Sequence, residues 1–152
     1  MTPFARCLLV LLLAGSLVLL FGRTPAVAQD EASVRVARVQ YQGGGDWYSD
    51  EESLVELLAF ARQHTLLDVG QQEDVVELTS DKVFSYPYLY LTGHGNVTFS
   101  PAEADRLRRY LLRGGFLHID DNYGLDEYIR EEMKKVFPEK EFVELPFDHP
   151  IY

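Results

Sequence analysis

The sequence predicts an α/β fold in which a mostly parallel β-sheet carries helices on both faces. Strand-like segments alternate with helix-like segments of about ten to fifteen residues, an order typical of parallel sheets. Glycine, proline and acidic residues separate these segments, as expected at tight turns. Residues 116–120 are apolar at both alternating positions until the last residue, which predicts a strand buried on two faces.

The first strand and helix are predicted within residues 34–65. Residues 34–41 alternate apolar with polar side chains, which indicates a strand with one face wetter than the other. Gly43-Gly44-Gly45 ends this strand, and Ser49 or Asp50 is the expected N-cap of a helix. The apolar residues that recur at helical spacing in this helix are Leu54, Leu57, Leu58 and Ala61.

Two short strands and a well-marked helix follow. Residues 75–78 and 88–91 have the composition of strands, with a turn expected at residues 81–84. Ser100-Pro101-Ala102-Glu103 combines a capping serine, a proline at the first helical position and a glutamate at the third. The helix that begins there is expected to end at Gly114-Gly115.

A third helix and a last strand complete the predicted elements. The apolar face of this helix is expected to consist of Leu125, Ile129, Met133 and Val136. A final strand is expected near residues 141–145. The sequence then stops without the helix that should cover this strand. We therefore expect the α/β domain, residues 34–152, to be C-terminally truncated.

The first 28 residues have the pattern of a secretory signal peptide. Arg6 precedes an apolar run from Cys7 to Phe21, and Ala26-Val27-Ala28 forms a small-residue cleavage site before Gln29. The run is shorter than the roughly 20 residues that a membrane-spanning helix needs, which favours a cleaved signal over an anchor. No stable membrane span is expected after cleavage. The alternative is an uncleaved anchor. Residues 29–33 are a short polar leader, and the expected location is the periplasm or cell envelope.

The charge and cysteine content exclude several classes of function. Residues 1–28 hold two arginines and no acid, which leaves 12 of the 14 basic residues against 24 acidic ones. Such an acidic chain is expected to bind neither nucleic acid nor anionic lipid. Cys7 lies in the signal, so the remaining chain has no thiol nucleophile and no cysteine metal ligand.

Polar residues follow the predicted strands where ligands of parallel sheets usually bind, at the carboxyl edge. The candidate ligand-binding residues there are Asp46, Trp47, His94, Asn96, Asp120, Asp121 and His149. The Gly43-Gly44-Gly45 run lacks the lysine and serine of a phosphate loop, and nearby acids favour a neutral or cationic ligand. The alternative is that these glycines only make a tight turn with Trp47 as its plug.

No cofactor is predicted, and the weaker alternative is a divalent metal held by His94, Asp121 and His149. His94 lies between two glycines, which would expose its imidazole; otherwise it is a turn histidine bonded to a neighbouring loop. The adjacent Asp120 and Asp121 serve equally well as a helix-entry cap. His118 is expected to be a hydrogen-bonded core residue.

Five ordered blocks resemble a family of uncharacterised bacterial exported domains, and the likeness runs from about Val34 to Tyr152. The blocks are Gln40–Tyr48, Tyr90–Gly95, Gly114–Phe116, Asp120–Asp121 and Glu144–Tyr152. That family resembles in turn the class I glutamine-amidotransferase-like superfamily, which implies a three-layer, flavodoxin-like fold. Amidotransferase activity is not implied, because the nucleophilic cysteine has no counterpart. The resemblance transfers no catalytic residue.

Three functions remain open. The first is an envelope-associated module that binds a small polar ligand or an envelope protein near Asp46, His94 and Asp120. The second is a metal-assisted or acid–base hydrolase of a sugar or envelope-derived substrate, using Asp120 or Asp121 with His94. The third is a structural envelope component whose cleft is vestigial.

The signal predicts a defined new N-terminus. When the chain is expressed in a Gram-negative host, the protein recovered from the periplasm should begin at Gln29, because signal peptidase cleaves after small-residue triplets. Intact-mass measurement and N-terminal sequencing check this. A membrane-bound product that retains residues 1–28 would favour the anchor instead.

Overall fold

The computed structural model describes residues 34–152, which form a four-stranded sheet and three helices. The signal and leader, residues 1–33, lie outside the described part. In chain order the elements are β1 (Val36–Gln40), α1 (Glu51–His64), β2 (Asp74–Glu77), a 3-10 helix (Asp81–Ser85), β3 (Tyr88–His94), α2 (Pro101–Leu112), β4 (Phe116–Tyr123) and α3 (Asp126–Val136). No helix within the described residues has the length and apolar content needed to cross a bilayer.

The sheet is parallel throughout, with the strand order β2-β1-β3-β4. This order matches the first four strands of the flavodoxin-like arrangement. Because all four strands run in the same direction, their carboxyl ends lie together at one end of the sheet. The prediction of a three-layer α/β fold is confirmed.

Two apolar cores hold the layers together. One core packs β-strand side chains such as Val39 and Leu91 against Leu107 of α2 and Ile129 of α3. The other packs Leu54 and Leu58 of α1 on the opposite face of the sheet. The chain therefore has two helices on one face and one helix on the other.

The predicted start of α2 is confirmed in full, and that of α1 is confirmed only in its position. Ser100 accepts a hydrogen bond from the Glu103 backbone N–H, and the Glu103 carboxylate accepts one from the Ser100 backbone N–H, so the predicted capping box is present. Asp50 occupies the N-cap position of α1, but its side chain does not cap the helix. Its backbone is left-handed, with φ of 53°.

The prediction that residues 116–120 are buried on both faces is wrong. Among residues 34–152, β4 pairs with β3 alone, and helices cover only one of its faces. Phe116 is 48% exposed, and His118 is exposed rather than buried in the core. The apolar pattern failed because burial on two faces needs a covering layer on each, which a strand's own composition does not supply.

The strand expected at residues 141–145 is also absent. These residues are exposed and extend from the end of α3 without pairing to the described sheet. A strand exists only through the hydrogen bonds of a ladder, and an apolar–polar alternation does not create a partner. Consequently His149, expected to follow a strand, does not lie at a strand end.

Candidate functional site

The loops that follow β1 and β3 meet at the carboxyl edge of the sheet. The Gly45 backbone N–H donates to the Asn96 carbonyl at 2.8 Å, and the Thr98 N–H donates to the Gln42 carbonyl at 2.7 Å. The Gly95 N–H donates to the Tyr123 carbonyl at the end of β4, at 3.1 Å. Three strand ends are therefore joined by backbone hydrogen bonds into one rim, which we call the carboxyl rim.

Two glycines allow this close approach. A Cβ atom at Gly45 would lie 2.6 Å from the Asn96 carbonyl oxygen, and one at Gly93 would clash with the Tyr41 hydroxyl. Gly93 also has a φ of 147°, which side chains disfavour. The glycines around Asp46 and His94 therefore serve loop-to-loop packing.

A buried arginine organises the loop between β1 and α1. Arg38 is 3% exposed, and its guanidinium donates to the carbonyls of Ser49 at 2.6 Å and Asp50 at 3.0 Å. It also donates to the Trp47 carbonyl at 3.5 Å and forms an ion pair with Glu73 at 3.3 Å. A buried charge is tolerated only with such partners, so the loop and the arginine stabilise each other.

Arg38 was not among the predicted site residues. The alternation of β1 predicted that its polar positions face solvent, but this face is covered by α1 and by the loop at residues 47–50. The ring of Tyr90 lies 5.5 Å from the guanidinium carbon and lines the same site. The sequence signal that was available is an arginine between Ala37 and Val39 in β1, five residues before the glycine run begins.

Asp46 and His94 form the central contact of the carboxyl rim. Asp46 Oδ2 lies 3.0 Å from His94 Nδ1, and Asp46 Oδ1 accepts the His94 backbone N–H at 2.5 Å. Both side chains are partly accessible, at 34% for Asp46 and 52% for His94. Since an ionised carboxylate only accepts hydrogen bonds, Nδ1 donates in this contact, and in the neutral imidazole Nε2 is then an acceptor.

The electrostatics agree with a charged Asp46. The hydrogen bond from the His94 backbone N–H is the largest of the effects that lower the pKa of Asp46 below 3.8, and the His94 side chain adds to it. Beside it, burial raises the pKa of Tyr41 to about 12, with a further contribution from the Asp46 charge. The Tyr41 hydroxyl donates to the Thr92 carbonyl at 3.1 Å. At neutral pH the rim therefore holds an ionised carboxylate and a protonated phenol.

Asn122 joins β4 to the start of α1. Its amide Nδ2 donates to the Ser49 hydroxyl at 3.1 Å and to the Asp50 carboxylate. These contacts explain why Asp50 does not cap α1. Neither Asn122 nor Ser49 was among the predicted site residues, and their separation of 73 residues gave no local signal.

The two adjacent aspartates of β4 take different roles. Asp120 accepts a hydrogen bond from the Tyr90 hydroxyl at 2.9 Å. Asp121 accepts from the backbone N–H groups of Leu125 at 2.8 Å and Asp126 at 3.2 Å, and so caps α3. The helix-entry interpretation therefore holds for Asp121.

The remaining candidates are dispersed. Trp47 is half-buried and packs against the core under α2 and α3, as expected of a plug. The Asn96 side chain is exposed, and its backbone carbonyl accepts the hydrogen bond from Gly45 in the rim. The imidazole of His149 accepts the Ile151 backbone N–H at 3.3 Å, within a local turn. Across residues 34–152, no hydrogen bond or ion pair connects Asp120, Asp121 or His149 to the Asp46–His94 pair.

The proposed metal ligands do not form a recognisable cluster. Within the described chain, no group of three or more histidine, cysteine, aspartate or glutamate side chains is arranged to hold a metal ion. His94 contacts Asp46, Asp121 caps a helix and His149 stays in its own turn. The chemistry that this arrangement offers is hydrogen bonding and proton transfer at His94.

The chain matches a known protein-family model. Residues 35–152 match a family described as a domain of unknown function (DUF4159), and the range includes every residue of the carboxyl rim. A search of curated proteins finds no match to the chain. The sequence-based assignment to a family of domains of unknown function is thus confirmed.

Removing the buried guanidinium should destabilise the protein. The substitution Arg38→Met is expected to lower the free energy of unfolding by about 3 kcal/mol, because it leaves the loop carbonyls and Glu73 without their donor. The matched control is Arg35→Met on the neighbouring exposed position, where the ion pair with Asp74 should contribute less than about 1 kcal/mol. Urea unfolding measures both, and equal losses would contradict the role given to Arg38.

The Asp46–His94 contact should make stability depend on pH. Asp46 has a lowered pKa in the folded state, so its contribution is present above pH 3.8 and is lost as the pH falls through the folded pKa. The difference in unfolding free energy between the wild type and Asp46→Asn should therefore shrink in acid. Denaturant titrations at several pH values measure it, with Asp105→Asn on α2 as control. A difference that stays constant from neutral pH to below pH 3.8 would exclude this contribution.

Proposed function

The chain belongs to the DUF4159 family of domains of unknown function, and from this premise we propose that it is an exported binding module of the cell envelope. Its ligand is a small polar molecule held at the carboxyl rim. The export part of the proposal rests on the signal-like N-terminus. The binding part rests on the Asp46–His94 pair.

The observation that carries the proposal is the fixed orientation of a half-exposed imidazole. Asp46 holds His94 at both the backbone N–H and Nδ1, which leaves the Nε2 acceptor for a ligand donor. Arg38 and Asn122 in turn fix the loop at Ser49 and Asp50. A group positioned before binding loses little entropy when the ligand arrives, and this supports a recognition role.

The charges of the rim favour a neutral or cationic ligand. Asp46, Asp50 and Asp120 are carboxylates at or near this edge, and they would repel a phosphate or another anion. Arg38 is buried, and both of its Nη groups donate to protein groups. The exposed ring of Tyr123 at the end of β4 offers a face for the apolar side of such a ligand.

The same pair supports a second candidate, acid–base hydrolysis. An aspartate that fixes the tautomer of a histidine is the arrangement used for general-base chemistry. His94 would then accept a proton at Nε2, and Asp46 would act as its positioning residue. Asp121, which the hydrolase hypothesis named as a base, is engaged as the cap of α3.

Titration monitored by NMR tests the binding function. A panel of monosaccharides, amino acids and polyamines is added to the full chain, and the backbone amide signals of Gly45, Gly95 and Asn96 in the carboxyl rim are followed. We expect saturable shifts with at least one neutral or cationic compound, and loss of these shifts in His94→Ala. The control is His64→Ala, which alters an exposed histidine at the end of α1. Shifts that persist in His94→Ala would place the ligand elsewhere.

Turnover separates the two candidates. Methyl glycosides of the sugars and methyl esters of the amino acids in the panel are offered as substrates. Hydrolysis that fails in His94→Ala and weakens in Asp46→Asn supports the acid–base function. Binding without hydrolysis supports the module. No saturable shift from any compound of the panel would contradict both.

A further inference from the structure

Among residues 34–152, no helix covers the outer part of the sheet on the side of α1. Tyr88, Phe116 and His118 form an open floor on β3 and β4, and Leu57 and Phe60 of α1 stand beside it. The exposed fractions are 48% for Phe116, 44% for Leu57 and 59% for Phe60. We call these five residues the α1–β4 groove.

The orientation of α1 follows from contacts on its two flanks. The Ser53 side chain lies near the Tyr90 hydroxyl, so this flank faces β3 and β4. Arg62 donates to the Gly70 carbonyl at 2.5 Å on the opposite flank, toward β2. Leu57 and Phe60 follow Ser53 at helical spacing, and therefore lie on the flank beside the groove.

The groove is continuous with a core. Tyr88 packs against the cluster that contains Leu54 and Leu58, and Phe116 stacks on Tyr88 with 5.5 Å between ring centroids. The imidazole of His118 lies edge-on to Tyr88, and its Nδ1 is 2.6 Å from the Tyr88 hydroxyl. The apolar surface therefore extends from buried residues into the open groove without interruption.

The shape of the groove matches a helix. On the opposite face, α2 and α3 lie side by side, whereas α1 is alone on this face of the described sheet. Since β4 has eight residues, it is about 26 Å long, which accommodates a helix of about 17 residues. Parallel sheets are stable with helices on both faces.

The acidic residues beside the groove favour a bound helix that carries basic residues. Glu56 is exposed on the outer side of the Leu57–Phe60 flank, and the Asp120 carboxylate lies at the far end of the floor. The chain as a whole is acidic, with a net charge of −10. We propose that the α1–β4 groove binds an amphipathic helix of a partner protein, with apolar residues on one side and lysine or arginine along its flank.

The test uses a synthetic peptide of about 18 residues that places leucines at helical spacing and lysines elsewhere. Its fluorescence anisotropy is measured with the full chain. The double variant Leu57→Glu with Phe60→Glu should weaken binding by about tenfold or more, because charged side chains replace the apolar wall. The matched control is Val55→Glu with Leu112→Glu, two exposed positions outside the groove, which should change affinity by less than about twofold.

Because both double variants add the same negative charge, a loss confined to the groove variant reports apolar contact rather than charge. Circular dichroism verifies folding, and the single variant Phe60→Ser serves if the double variant unfolds. A scrambled leucine–lysine peptide that binds equally well would overturn the proposal, as would equal affinities of the two double variants. A wild-type dimer that the groove variant dissociates, seen by sedimentation, would assign the groove to a second copy of the chain and also overturn it.

Discussion

The carboxyl rim depends on the burial of one guanidinium. Arg38 occupies the middle of β1 with 3% exposure, in surroundings where an unpaired charge would be strongly unfavourable. Its Nη groups donate to the carbonyls of Ser49 and Asp50 and to Glu73, so the chain after β1 must pass at hydrogen-bonding distance. This requirement fixes a loop that its own composition, rich in glycine, would leave free.

Once the loop is fixed, the contacts of the rim follow. Asp50 adopts a left-handed backbone that aspartate tolerates better than most residues, and its carbonyl faces Arg38 while its carboxylate accepts from Asn122. Upstream, Asp46 lies where it can accept both the backbone N–H and the Nδ1–H of His94. One buried charge thus positions one exposed imidazole through a short segment of backbone.

Local sequence patterns predicted the helices and most strands correctly. The wrong predictions concern burial and strand pairing, which depend on residues distant in sequence. The capping box at Ser100 and the apolar stripe of α3 are properties of neighbouring residues, and both are present. Asp46 and His94 were predicted at the same edge because parallel strands end together. Arg38, β4 and residues 141–145 were misjudged because burial and pairing depend on what covers a segment. The spacing of apolar residues in a segment does not specify which other segments cover it or pair with it.

The tautomer of His94 in the presence and absence of Arg38 tests this account most directly. Nitrogen-15 NMR of the imidazole should show one tautomer in the wild type, protonated at Nδ1, because Asp46 accepts that proton. In Arg38→Met, with helical circular dichroism retained, the signals should become those of two exchanging tautomers as the loop is released. A single Nδ1–H tautomer in the folded variant would show that Asp46 reaches His94 without Arg38, and would contradict the account.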